Sequence, residues 1–130
     1  MYRKTTHSIE VTVRPDFLED QSEPMENRYV WAYHVRIKNK GSNTVQVLGR
    51  HWNITDSFGR TQEVRGQGLV GEQPVLKPGE VFEYTSGTPL QTPSGIMFGT
   101  YFIEIEGGAE IEVAIPAFSL DSPHEHGVIH

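Results

Sequence analysis

The chain contains no cysteine. Disulfides, thiolate metal sites, thiol redox motifs and a cysteine nucleophile are excluded together, and the absence fits a reducing compartment. Long apolar runs are missing too. Nothing approaches the roughly 20 apolar residues that cross a bilayer, and the opening MYRKTTHSIEV holds no run of signal-peptide length. Positive charge is scarce: 11 Lys and Arg face 17 Asp and Glu, for a net charge of −6. Binding along a nucleic-acid backbone needs clustered Lys and Arg, so no nucleic-acid partner is expected. Helical periodicity is also lacking. The nearest candidate, DFLEDQSEPMENR at residues 16–28, is acidic, polar and interrupted by Pro24, and it reads as a loop. The expectation is a soluble cytoplasmic protein, away from membranes and without a cofactor. It forms one domain over residues 1–130, with the polar stretch 119–130 as a mobile tail.

What the chain does have is alternation of period two, punctuated by Gly and Pro. HSIEVTVRP sets Ile9, Val11 and Val13 on one face. YVWAYHVRIKNKG sets Trp31, Tyr33, Val35 and Ile37 on one face and His34, Arg36, Lys38 and Lys40 on the other. TVQVLGRHWNITDSFG alternates until Gly49, where a bulge or bend is expected; Leu48, Trp52 and Ile54 are core candidates there. TQEVRG is a short strand, and EVFEYTSG follows a Pro78-Gly79 turn. IMFGTYFIEIEGGAEIEVAIP is a long hairpin. About seven short strands without a helix predict an all-β, immunoglobulin- or fibronectin-type-III-like β-sandwich. The rest of the expected core is Phe82 or Val81, with Tyr101, Ile103, Ile105, Ile111 and Val113.

The last hairpin constrains its own loop. A two-residue loop at Gly107-Gly108 would place isoleucines opposite glutamates, on one shared face. A three-residue loop, 107–109, pairs Ile105 with Ile111 and Ile103 with Val113, so an odd loop with glycine at positive φ is predicted. The same register pairs Glu106 with Glu110 and Glu104 with Glu112, a row of carboxylates that reads as a solvated face or a cation site. The basic row from His34 to Lys40 reads as the solvent face of a sheet. Opposite stripes on one molecule also make a homodimer possible.

VRGQGLVGEQP, residues 64–74, spells G-x-G-x-x-G with Gly66, Gly68 and Gly71, and Arg65 beside it. In a dinucleotide-binding fold this motif follows a strand and opens a helix. Here a strand precedes it, but Pro74 and Pro78 forbid the helix, and the region some 20 positions on, LQTPSG, has no carboxylate for a ribose. The plain reading is a loop with glycines where backbone geometry demands them. The alternative is an anion nest of backbone amides helped by Arg65, taking pyrophosphate or a dinucleoside polyphosphate. His124, His126 and His130 could chelate a divalent cation from the C-terminal end. Asp56 and Gly59 read as hairpin-turn chemistry. His51 reads as a structural, hydrogen-bonded histidine. Ser57, Ser86 and Ser94 sit in turn-like surroundings with no nucleophile elbow, so an enzyme is not expected.

GRHWNITDSFG, VRGQGLVGEQPVLKPGEVFEYTSG, TPSGIMFGTY and IPAFSL occur in that order over nearly the whole chain. Together they resemble the ApaG (CorD) family. The resemblance implies a fibronectin-type-III-like sandwich and, by its eukaryotic relatives, a role in binding protein. It also implies a link to cobalt tolerance and magnesium efflux, without an attached biochemical activity. The expected function is a non-enzymatic interaction module with a protein partner.

Overall fold

The computed structural model describes residues 1–124. Nine strands run through them: β1 (Tyr2–Thr6), β2 (Ile9–Phe17), β3 (Tyr29–Asn39), β4 (Val45–Asp56), β5 (Thr61–Gln67), β6 (Val75–Leu76), β7 (Val81–Leu90), β8 (Ser94–Ile105) and β9 (Glu110–Asp121). Two single 3₁₀ turns, Glu19–Gln21 and Pro24–Glu26, occupy the acidic loop between β2 and β3. One antiparallel sheet has the order β1-β2-β3-β7; the other has β5-β4-β8-β9, with β6 also on β4. The molecule is an all-β sandwich, as the alternation predicts. The strands beyond the expected seven are β1 and β6. The first is the polar run YRKTT, which shows no alternation to read, and the second is two residues long.

Period two is what divides each strand between core and solvent. Along β3 the apolar positions Trp31, Tyr33, Val35 and Ile37 are buried, while His34, Arg36 and Lys38 face outward between them. The expected core residues Ile9, Val11, Trp52, Ile54, Tyr101, Ile103 and Val113 are buried as well. Phe82, Ile105 and Ile111 are only partly buried and pack against that cluster. The centre is aromatic. Trp52 meets Tyr33, Tyr101 and Phe118 edge-on, with centroids 5.3, 6.5 and 5.9 Å away. That geometry suits the ring quadrupoles and bridges the gap of about 10 Å between stacked sheets.

Three expectations need correction. Leu48 is not a core residue. The bulge expected near Gly49 is present, as a register shift between Val47 and Gly49, and it turns Leu48 to a half-exposed position. The hairpin register is also different. The odd loop holds, with Gly107 and Gly108 at φ 103° and 101°. However, Ile103 faces Ile111, Tyr101 faces Val113 and Glu104 faces Glu110, while Glu112 stands opposite Phe102. A slip of two residues keeps every side chain on its face, so the hydrophobic pattern cannot detect it. The turn's own bonds choose the register: Ile105 N donates to Ala109 O (2.7 Å), Gly108 N to Ile105 O (2.9 Å) and Glu106 N to Thr44 O (2.8 Å).

The third correction concerns the tail expected from residue 119. Strand β9 continues through Asp121, opposite Ser94. Leu120 is fully buried, and the Asp121 carbonyl accepts a hydrogen bond from Trp31 Nε1 at 2.9 Å. The polar residues around Leu120 mask a strand end. Replacing Leu120 by Ala should therefore cost about 2–5 kcal/mol in denaturant unfolding. A loss of less than about 0.5 kcal/mol, as for a surface change, would return Leu120 to a tail.

Candidate functional site

The glycine motif folds as a hairpin tip. Leu69 and Glu72 bridge each other, with Leu69 N to Glu72 O at 2.6 Å and Glu72 N to Leu69 O at 2.9 Å. Val70 and Gly71 at the tip both have positive φ, 44° and 85°, as a type I′ turn requires. Gly68 also has positive φ, its amide donates to Leu48 O (2.7 Å), and a Cβ on it would lie 2.6 Å from the Glu72 carbonyl oxygen. Gly66 lies in β5 opposite Arg50, and a Cβ there would lie 2.5 Å from Arg50 Nη1. That guanidinium donates to the carbonyl oxygens of Gly68 (2.9 Å) and Gln67 (3.3 Å). The loop thus gathers carbonyl oxygens around an arginine and spends the amides of Gly68, Leu69 and Glu72 on backbone bonds. Arg65 is exposed and sits 3.9 Å from Glu63. Three of the amides that an anion nest there would draw on are thus already occupied.

On the outer face of the first sheet, three members of the expected basic row have carboxylates beside them. His34 hydrogen-bonds Asp16 (2.8 Å) through Nε2 and Thr85 (2.7 Å) through Nδ1. Arg36 lies 3.9 Å from Glu83, and Lys40 lies 3.5 Å from Glu10. Hydroxyl, imidazole and carboxylate stand in line, as in a catalytic triad, but on an exposed sheet face across β7, β3 and β2, where they serve as cross-strand pairs. Among the described residues no histidine hydrogen-bonds a serine. Ser57 hands its amide to Thr92. His51 bonds Glu63 at 2.8 Å, in keeping with a structural role. Nor do three His, Asp or Glu side chains gather among the described residues to hold a metal. His124 contacts the Glu19 carboxylate at 3.2 Å and lies against Phe17 and Tyr29; His126 and His130 lie outside the described residues.

A buried tyrosine cluster joins the two sheets. The hydroxyls of Tyr84 and Tyr101 hydrogen-bond each other. Burial pushes both phenols, and Tyr33 with them, above the ordinary range, partly offset in each case by the Arg50 charge. Their protons stay in place at any physiological pH, so the cluster is a fixed strut.

The surface that stands out lies at one end of the sandwich, where three turns meet. Residues 24–27 form the tip of the β2–β3 loop. Glu23 and Arg28 close it by exchanging backbone bonds of 2.7 and 3.0 Å, and Asn27 takes the left-handed conformation. Met25, at that tip, is 99% exposed. Residues 56–60 form the β4–β5 turn. Asp56 Oδ1 accepts the amides of Phe58 (2.9 Å) and Arg60 (3.0 Å), and Oδ2 accepts Arg60 Nε (2.7 Å). Phe58 is held 77% exposed, with the Arg60 guanidinium 5.1 Å from its ring centroid. Thr92 ties this turn to the β7–β8 turn: its hydroxyl accepts Ser57 N (3.2 Å) and donates to Ser94 O (2.8 Å). Two adjoining open clefts of about 710 and 770 Å³ lie between the turns. Glu26, Asn27, Arg60 and Gln91 border both, and Phe58, Tyr29 and His124 line the second. Sequence reasoning found the Asp56-Gly59 turn. It missed that folding sets this turn and the loop of Met25 around the same clefts, because exposed apolar residues carry no periodicity.

Residues 19–105 match the model of the family described as the ApaG domain. The chain belongs to the ApaG domain family. It is 68% identical over 125 residues to Protein ApaG of Paramagnetospirillum magneticum, covering 96% of each chain. It is 61% identical to Protein ApaG of Parvibaculum lavamentivorans over 130 residues, the full length of both. Among solved structures, it is similar to the putative ApaA protein of Bordetella pertussis, with a TM-score of 0.87 and 52% identity over 92% of this chain and 97% of that one. The blocks that carry the ApaG resemblance supply Arg50, Trp52, the glycine hairpin, Tyr84, Tyr101, Phe118 and Leu120. Most of what makes this chain legible as ApaG therefore builds the fold.

Two outcomes follow. Gly68→Ala, strained in φ and against the Glu72 carbonyl, should destabilise more than Gly71→Ala, which has open space and pays for φ alone, about 1–2 kcal/mol. Urea unfolding ranks them, and equal losses would contradict the packing role of Gly68. For the Asp56 carboxyl, desolvation acts upward, but the hydrogen bonds and charge of Arg60 and the Phe58 amide together hold it below the ordinary 3.8. Its support of the turn is complete above that value and is lost as pH falls through the lower folded one. The amide resonances of Phe58 and Arg60 should move together below pH 3.8, and Asp56→Asn should abolish that transition.

Proposed function

We propose that this ApaG-family sandwich is a non-enzymatic binding module working in the cytoplasm, and that its partner is a protein docking on the three-turn end. The observation that carries the reading is the pair Met25 and Phe58: two large apolar side chains exposed at tips that their own hydrogen bonds fix, Phe58 lining the second cleft and Met25 standing between Pro24 and Glu26, which line it too. Exposed apolar groups with a polar rim mark interaction surfaces. Preformed tips lose little entropy on binding. The loop that carries Met25 holds Glu19, Asp20, Glu23 and Glu26 against Arg28. The partner segment we infer is therefore apolar at its centre, with Lys or Arg on its flanks. In this reading any link to cobalt tolerance or magnesium efflux runs through the bound protein rather than through an ion held by the described residues.

The test is affinity capture with the wild type, with Met25→Asp plus Phe58→Asp, and with a control substitution, Val75→Asp, at an exposed apolar position of β6. Both altered proteins should melt within a few degrees of the wild type. A protein retained by wild type and control should lose at least about tenfold in affinity for the double variant, as expected of anchor residues. Equal retention by all three proteins would refute the docking end. A melting rise with pyrophosphate or cobalt in the same preparations would instead favour a small-ligand role.

A further inference from the structure

Strand β5 is an open edge. It ends its sheet and lies against β4 alone to any extent. All of its residues except Val64 and Gly66 are exposed. Native edges are usually blunted by proline, lysine or a bulge. TQEVRGQ has neither of those residues, and its pairing with β4 runs without a register shift. The opposite sheet ends in β7, which does carry a guard, Pro89.

The bonds to β4 fix which groups point outward. Asp56 N donates to Arg60 O, and Gly68 N to Leu48 O. In an antiparallel ladder a residue's N–H and C=O point the same way, and the direction alternates along the strand. The even positions from 60 to 68 therefore bond β4. Thr61, Glu63, Arg65 and Gln67 turn their N–H and C=O away from it. Among the described residues only the Gln67 carbonyl has a further partner, Arg50 at 3.3 Å.

We propose that this edge pairs with the same edge of a second copy, antiparallel, about a two-fold axis at Val64. The register is chosen by charge. Centred on Val64, Glu63 faces the copy's Arg65 and Arg65 faces the copy's Glu63, and both pairs fall at outward-pointing positions that can exchange backbone bonds. Thr61 and Gln67 pair likewise. Centred on Glu63 or on Arg65, the same ladder sets like charges opposite each other, which is unfavourable. Val64, which is half-buried and packs on the core, meets its own copy and loses its remaining exposure. This surface adjoins the three-turn end, since Thr61 and Gln62 also line the first of its clefts. A single short strand pair buries little area, so the dimer is weak and concentration-dependent.

Sedimentation equilibrium across the micromolar range tests this. The wild type should show a reversible monomer–dimer exchange. Glu63→Arg alone and Arg65→Glu alone each set two pairs of like charges opposite one another, and should weaken association by about tenfold or more. Mixing those two variants should restore it as a heterodimer, and so should the double exchange in one chain. Unchanged melting temperatures show that the singles still fold. A monomer at every concentration, or a dimer that ignores these exchanges, would overturn the proposal.

Discussion

The interlock of Trp52 with Tyr33, Tyr101 and Phe118 is the contact on which the rest of the molecule depends. The rings come from β4, β3, β8 and β9, so both sheets meet in one cluster. Fixing that cluster fixes the spacing of the sheets. The spacing in turn sets where the strand ends lie, and the turns at those ends carry the proposed docking surface. Around the cluster, polar groups are used as struts. The Tyr84–Tyr101 hydroxyl pair crosses between sheets. Trp31 Nε1 reaches from one sheet to the last residue of the other at Asp121. Arg50 points inward beside Tyr101 and ends on carbonyl oxygens of the glycine hairpin. Such directional bonds favour one register where apolar packing alone would tolerate several.

Much of the fold is legible in the sequence because alternation is a direct record of burial. Strand β3 shows it best: each apolar residue of WAYHVRI that reads as core is buried. The failures have physical reasons. Leu48 follows the alternation but sits in a bulge, which breaks the count by one. The final hairpin slips by two, a change that leaves every face intact and so no trace in the pattern. Leu120 is a lone apolar residue amid Ser and Asp, too little context to distinguish a strand end from a tail. Leu69 and Leu76 are buried by loop and edge geometry that no local period encodes, whereas Tyr29 extends the β3 alternation to its first residue.

The candidate site was less legible still. The glycine motif invites a nucleotide reading, and the three-dimensional arrangement explains each glycine by a turn or by the space for Arg50. Residue type alone could not tell those uses apart. The end bearing Met25 and Phe58 is made by three segments more than 30 residues apart in sequence at its extremes. Only the crossing of chain between the two sheets brings them together. A short acidic loop and a polar turn gave no hint that each would hold up an apolar side chain.

The proposed docking requires that end to be preformed. Backbone ¹⁵N relaxation at Met25 and Phe58 tests this most directly, because it reads the tips themselves without needing the partner. Order parameters near about 0.85, the value of rigid backbone, are what the closed tips require. Values below about 0.6 would mean that the turns sample many conformations, and would contradict a docking surface built into the fold.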